Sequence, residues 1–312
     1  DHPRTMEEFD RWFGSEDRCR DYLVRLRWPS GYRCTRCESG SFWTTGRGLR
    51  HCRSCGRQTS VTAGTIFDKT RKPLRLWFQV MWWMTGQKNG ASALGLQRVL
   101  GLGSYTTAWA WLHKLRRAMV RPGRDRLTGE VEVDETFVGG VEPGGGRRHL
   151  GNKALVVVAA QVDGKGIGRI RLKRIPDASS KSLSPFVKDA IEPGSKVITD
   201  GWDGYDGLRA LGYRHKAKVV LGSGKTASKL LPRVHRIASL LKRWLLGTHQ
   251  GRVEPKHLPY YLDEFTFRFN RRTSGSRGLL FHRLAQQAVA IRPVRFSQLV
   301  AEVNRELYRV MA

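Results

Sequence analysis

The sequence predicts an α/β protein in which a mixed β-sheet domain is preceded by a cysteine-punctuated module and a helix-turn-helix-like helical region. Three observations predict it. Apolar periodicity changes from helical to alternating near residue 130 and becomes helical again near residue 230. Three meandering strands are followed by β–α units and then by helices, which is the order of a mixed sheet with covered faces. Two Cys-x2-Cys pairs lie in a short polar stretch ahead of both regions.

Taken in order, residues 5–28 read as one helix that stops at Pro29-Ser30-Gly31. Cys19 lies on its apolar side beside Tyr22 and Leu23 and reads as a small buried hydrophobe. Residues 31–60 are short-patterned and rich in Gly and Arg. Residues 73–120 form three helices parted by glycines at 86–90 and 101–103, and the Trp and Phe residues at 77–83 read as core. After a Pro/Gly/charge linker at 121–126, strands are expected at 130–138, 154–162, 168–175, 196–199 and 216–221. Helices are expected at 179–191, 205–211, 230–246, 256–270 and 279–290. Residues 141–148 (VEPGGGRR) are the low-complexity stretch. The expected domains are 1–70 (first helix and cysteine module), 71–125 (helical region), 126–292 (mixed sheet) and 293–312 (helical tail).

Of the 312 residues, 56 are Lys or Arg and 27 are Asp or Glu, giving a formal net charge of +29. Self-repulsion on that scale destabilises a compact chain, so a polyanionic partner is implied, and nucleic acid is favoured over an anionic membrane surface. No stretch reaches the ~18 apolar residues of a membrane helix. The first 25 residues lack a signal-peptide profile, so a cytoplasmic protein with no membrane partner is expected. An apolar content of 40% supports a folded core rather than a disordered basic tail.

Fourteen residues, 38–51, separate Cys34-x2-Cys37 from Cys52-x2-Cys55. Each pair can place two thiolates on one tetrahedral ion, which points to structural Zn2+ held by Cys34, Cys37, Cys52 and Cys55. A redox dithiol and a chance pattern are the alternatives. The odd total of five cysteines argues for a reducing setting.

Residues 92–119 resemble a helix-turn-helix, with Ser104 as a plausible N-cap of the second helix. That helix is expected to display Thr106, Thr107, His113, Lys114, Arg116 and Arg117 to DNA; the alternative is an ordinary helical hairpin with a solvated basic face. Two acids occupy conspicuous strand positions. Asp134 lies inside EVEVDETFV, and Asp200 ends KVITD. Carboxylates so placed can converge on hard divalent cations, which hold the attacking and leaving oxygens of an in-line phosphoryl transfer. Glu135 points to the other face of the strand and is expected to support the site from there.

Here the chain resembles the DDE transposases of bacterial insertion sequences, in the branch that joins a zinc ribbon to an ISXO2-like catalytic domain. The resemblance runs along nearly the whole chain, through CRDYLVRLRWPSGYRCTRC, HCRSCGRQTSVTAGTIF, VEVDETFVGG, VITDGWDGY, LLKRWLLGTHQG and YLDEFTFRFNRR in that order. It implies an RNase H-like core and a metal-dependent site with Mg2+ or Mn2+, in which Asp134 and Asp200 match the first two ligand positions. The third, often a Glu, falls on His235 in VHRIASLLKR. No Asp or Glu occurs in residues 207–253, so no neighbouring acid can take its place. The family places a DNA-contacting Lys two helical turns further on, which is Lys242 here.

Imidazole suits softer ions than Mg2+, so His235 is expected as a metal ligand or as a base for the attacking water. Glu264 as third acid, or an inactive copy, are the other readings. Arg147, Arg148, Lys225, Lys229, Arg236, Arg243, Arg268, Arg271 and Arg272 are candidate phosphate contacts as a set. The resemblance implies an enzyme that binds terminal inverted repeats in double-stranded DNA, cleaves strands and transfers 3′-hydroxyl ends, working as a homodimer or larger assembly. The rivals are a DNA-binding regulator with an inactive nuclease fold and an RNase H-like nuclease or resolvase.

Overall fold

Ser15 divides the first expected helix in two. Its hydroxyl accepts from Arg18 N (3.3 Å) and caps a new helix directly after Gly14, so α1 (Met6–Trp12) and α2 (Glu16–Arg27) replace one continuous element. The computed structural model describes residues 2–121, 123–139, 153–219, 224, 226–251 and 253–301. Arg147, Arg148 and Lys225, with the 141–148 stretch and the end of the tail, lie outside them. The chain divides into two compact units, residues 1–122 with 274–312, and residues 123–273.

In the first unit, β1 (Phe42–Thr44), β2 (Arg50–Cys52) and β3 (Gln58–Thr59) form a small antiparallel sheet around the cysteines. Next come α3 (Leu74–Gly86), α4 (Ala93–Leu100) and α5 (Tyr105–Ala118). Pro73 offers no capping side chain to α3; instead Glu16 accepts from Leu74 N (2.8 Å) and Arg75 N (3.3 Å), tying α3 to the start of α2. Gly101 ends α4 in the left-handed region at φ 61°, and Ser104 stands at the N-cap of α5 without a side-chain capping bond.

The second unit holds β4 (Glu130–Val138), β5 (Ala154–Asp163), β6 (Gly166–Ile175), α6 (Ser180–Ala190), β7 (Lys196–Thr199) and a 3-10 turn at Asp203–Leu208. It continues through β8 (Arg214–Ala217), α7 (Ala227–Leu230), α8 (Pro232–His249) and α9 (Leu258–Phe269). The strand order is β6-β5-β4-β7-β8, with β4, β5 and β6 antiparallel and β7 and β8 parallel to β4. That mixed order is the RNase H-like arrangement. The last strand falls earlier than the expected 216–221 because Tyr213 turns inward and the following residues pair with β7.

Alternation on β4 explains the layers. Val131 and Val133 pack with Leu183, Phe186 and Val187 of α6 on one face. Val156, Val158 and Ile170 of the neighbouring strands pack with Val234, Ile237 and Leu241 of α8, and with Leu262 and Phe265 of α9, on the other.

The chain then returns to the first unit with α10 (Arg277–Ala290) and the short α11 (Phe296–Val300). α10 packs on α3 and α2, although sequence periodicity alone groups it with the sheet domain of residues 126–292. Phe281 explains the difference: it enters a ring cluster with Phe9, Phe13, Tyr22 and Phe78, at centroid distances of 5.5–6.1 Å. The Trp and Phe residues of α3 serve as core, with Trp77 stacked on Trp111 at 3.8 Å. Cys19 is fully buried, and burial pushes its thiol up to about 12.

Candidate active site

Asp134 lies in the middle of β4, and Asp200 directly follows β7. The two strands are parallel neighbours with Glu132 opposite Ile198. Two more residues along each strand bring Asp134 level with Asp200. The side chain of Asp134 shares the α8 face with Glu132, since both sit at the same phase of the pleat. His235, on the first turn of α8, brings Nε2 to 3.4 Å from Asp134 Oδ2. A cavity of about 230 Å³ opens there, lined by Asp134, Thr136, His235, Ala238 and Lys242. His235 and Lys242 therefore share one helix face, as their seven-residue spacing requires.

The Asp134 carboxyl is raised to about 6, chiefly by burial and further by the charge of Asp200, while the Glu135 amide (2.8 Å to Oδ1) pulls the other way. His235 Nε2 is buried and makes no hydrogen bond of good geometry among the described residues. Two ligands at ~2.1 Å from one ion stand roughly 3.0–3.4 Å apart, so the 3.4 Å approach fits a shared divalent ion. Two carboxylates and an imidazole suit Mn2+ better than Mg2+. The full set of Asp134, Asp200 and His235 is less tightly gathered than the cysteines: among the described residues, only those four cysteines form a metal-competent cluster of three or more His, Cys, Asp or Glu.

Two acids flanking Asp134 hold these positions. Glu132, 1% exposed, accepts from Arg233 N (2.7 Å), Val234 N (3.2 Å) and Arg233 Nη1 (3.0 Å). It thereby caps the first turn of α8 and fixes His235 against β4. On the opposite face, Glu135 accepts a short hydrogen bond from the hydroxyl of Tyr205, which is fully buried. Burial, with a further push from Asp134 and Asp200, raises Glu135 to about 7. Tyr205 belongs to the turn that follows Asp200, so this bond ties β4 to the segment after β7. Glu132, Tyr205 and Arg233 went unremarked in the sequence. The available signal was the phase of Glu132, which alternation places on the face of Asp134. Glu264, the alternative third acid, is buried on α9 and paired with Arg268 (2.8 Å) on its own helix.

In the first unit the four sulfur atoms of Cys34, Cys37, Cys52 and Cys55 lie within 4.8 Å of one another. Sγ of Cys34 stands 3.5 Å from that of Cys55, and Sγ of Cys37 stands 3.6 Å from that of Cys52. A tetrahedral zinc with bonds of ~2.3 Å sets its sulfurs roughly 3.8 Å apart, so the cluster fits that ion and is no pair of disulfides. The Arg36 amide helps lower the Cys34 thiol to about 6, which favours the ligating thiolate.

The candidate DNA contacts divide. Arg236, Lys242 and Arg243 are exposed along α8, and Lys229 is exposed before it. On α5 the expected display fails for three residues: His113, Arg116 and Arg117 are buried, at 0%, 1% and 2% exposed. The second half of that helix is enclosed all round, with Trp111, Leu112, Leu115 and Ala118 also buried, so sequence polarity misjudged its faces. Lys114 is half-buried over the Trp77 ring (6.0 Å), and burial lowers its pKa. Tyr105 and Thr106 at the helix start are exposed, and Thr107 partly so. Arg271 and Arg272 also have structural tasks. They stack on Phe267 (4.1 Å) and Phe269 (4.0 Å), and Arg272 donates to the carbonyls of Gly168 (3.3 Å) and Ile167.

Known proteins echo this arrangement. A family model described as an ISXO2-like transposase domain matches residues 126–270, and one described as a transposase zinc-ribbon domain matches residues 14–58. A protein of Halobacterium salinarum, described as an uncharacterised protein in transposable element ISH50, is 27% identical over 279 residues, spanning 82% of this chain and 91% of that protein. Among solved structures, the catalytic core domain of BIV integrase is 17% identical, covering 48% of this chain and 89% of its own, with a TM-score of 0.33. The Mos1 transposase paired-end complex with left transposon end is 14% identical, covering 66% and 79%, with a TM-score of 0.24. These two likenesses are weak, and the fold rests on the strand order. Among the described residues no helix is long and apolar enough to cross a membrane.

Proposed function

We propose that this chain, which carries a transposase zinc ribbon followed by an ISXO2-like transposase domain and belongs with the insertion-sequence transposases built that way, cuts and joins DNA strands at the ends of its element through Asp134, Asp200 and His235. The observation that carries the reading is the level placement of Asp134 and Asp200 on adjacent parallel strands, with His235 3.4 Å from Asp134. Asp134, Asp200 and His235 would hold divalent ions, Mg2+ or Mn2+, which supply Lewis acidity and a nucleophilic oxygen at neutral pH. Asp134 and Asp200 set the negative charge of the site. His235 offers a ring nitrogen that can ligate or take a proton from the attacking water or 3′-hydroxyl. Lys242, exposed two turns along the same helix face, is placed to meet the phosphate of a DNA end. Cleavage frees a 3′-hydroxyl, which then attacks target DNA. The zinc ribbon and the exposed start of α5 would hold terminal inverted repeats in double-stranded DNA, and pairing two ends requires at least a homodimer.

The test is metal-dependent nicking of an oligonucleotide carrying the element end, followed by joining of a pre-cut 3′ end to a plasmid. Asp200→Ala is expected to abolish both steps and leave end binding within about twofold. Wild type that neither cuts nor joins with Mg2+ or Mn2+ sinks the proposal. It would leave the second reading, a DNA-binding protein with an inactive core, which His235 in place of the commoner acid favours.

A further inference from the structure

On a second flank of α8 lies a groove of about 510 Å³, between the start of β6, the first half of α8 and the end of α9. Arg233, Arg236 and Leu240 line it, whereas His235, Ala238 and Lys242 line the cavity beside Asp134. Successive helix residues are ~100° apart, so the two sets face different sides of one helix. Ile167, Leu240 and Phe269 give the groove an apolar floor, and none of its lining residues is acidic.

Two of its four cations are already committed. Arg233 donates to the carbonyls of Gly164 (2.7 Å) and Gly166 (2.9 Å) and is paired with Glu132. Arg272 is spread over Phe269 and bonded to backbone carbonyls, and Asp163 lies close enough to offset its charge. These arginines shape the walls. The other two, Lys165 at the β5–β6 turn and Arg236 on α8, are exposed and have no acidic partner among the described residues. A cation pair left unneutralised above an apolar floor suits a phosphodiester with its sugar.

We propose that this groove seats the backbone of bound DNA, with one phosphate between Lys165 and Arg236 and the adjoining deoxyribose over Ile167 and Leu240. The proposal rests on the reading of the chain as a DNA-cutting transposase and adds a strand path to it. Arg243 continues the line from Arg236 two helical turns on, at roughly 10.5 Å for seven residues, and is exposed. A lone anion cannot span that distance, whereas a continuous DNA strand meets both arginines.

The test uses the full chain and a random-sequence 30-base-pair duplex. Lysine acetylation of the wild-type protein should lose reactivity at Lys165 when duplex is added, and keep it at Lys181 on α6, across the sheet. The slope of log affinity against log salt should become less steep by about 1.8 in the Lys165→Ala/Arg236→Ala double variant, at about 0.9 per lost phosphate contact. The charge-matched Lys181→Ala/Lys188→Ala variant should keep the wild-type slope. Equal acetylation of Lys165 with and without duplex, or an unchanged slope in the groove variant, overturns the groove while the transposase reading stands. Failure of the wild type to bind duplex at all overturns both.

Discussion

Replacing Glu132 should loosen α8 from β4 more than any other single change near the site. Its carboxylate is 1% exposed and accepts three hydrogen bonds, two of them from main-chain amides of the first helical turn. Glu132→Ala strands those amides and leaves Arg233, whose side chain is 20% exposed, without its counter-charge. Breaking a buried pair costs about 3–5 kcal/mol, and loss of a helix cap costs about 0.5–2 kcal/mol. Both costs fall on the same oxygen atoms and do not add, so about 3–5 kcal/mol is expected. Gln keeps an acceptor oxygen but removes the charge, and should cost about 1–3 kcal/mol. With two units in the chain, a global transition would blend their stabilities, so hydrogen exchange of α8 amides is the better assay. At 1.36 kcal/mol per tenfold, α8 opening should rise roughly 10²–10⁴-fold in the Ala variant. Strand cleavage should fall with it, because His235 loses its fixed distance to Asp134. A rise in exchange below tenfold for Glu132→Ala, or Gln proving as harmful as Ala, refutes the argument.

His235→Glu is expected to raise Mg2+-dependent cleavage relative to Mn2+-dependent cleavage, since a carboxylate suits the harder ion; an unchanged ratio removes His235 from the ligand set. Chelation of zinc should unfold the cysteine module, seen as loss of amide protection around residues 34–55, and acidification should release the metal because thiolates compete with protons. Burial lowers His282 to about 4, and its ring nitrogen meets the Tyr22 hydroxyl at 2.7 Å. The folded form therefore holds that proton less tightly than the unfolded chain, so its contribution to stability is complete above about 6.5 and is lost as pH falls towards 4. His282→Asn should flatten the pH–stability curve in that window, and parallel curves would exclude the assignment. Arg116→Ala should destabilise the first unit by about 3–5 kcal/mol in denaturant and leave the salt dependence of DNA binding unchanged, because the side chain is 1% exposed; a shallower salt slope would make it a phosphate contact after all.

What the sequence made legible followed from local rules. The β4 limits came directly from the alternation of EVEVDETFV, and the cysteine cluster from the two Cys-x2-Cys spacings. The break at Ser15 was also readable, since Ser-Glu-Asp after Gly is a helix-start signal, but the apolar periodicity on both sides masked it. What escaped was non-local. Nothing near Phe281 in sequence reveals that α10 packs with residues 9, 13, 22 and 78. The faces of α5 failed for the same reason, since a basic residue reads as exposed until another element is known to cover it.

The acids of β4 join the two kinds of information. Their strand phase is local, and it sorts Glu132 and Asp134 to one face and Glu135 to the other. Their partners are distant in sequence: Arg233 and His235 on α8, and Tyr205 in the turn after Asp200. A lone Asp on a strand could be an ordinary solvated acid. An Asp flanked by two acids, each engaged by the element that carries another candidate ligand, has its position determined from both faces of the sheet. The cost of burying Glu132 and Glu135 is hard to explain by packing alone, since apolar residues at those positions would give a firmer core. It is explained if the distances between Asp134, Asp200 and His235 matter more than the stability of the strand.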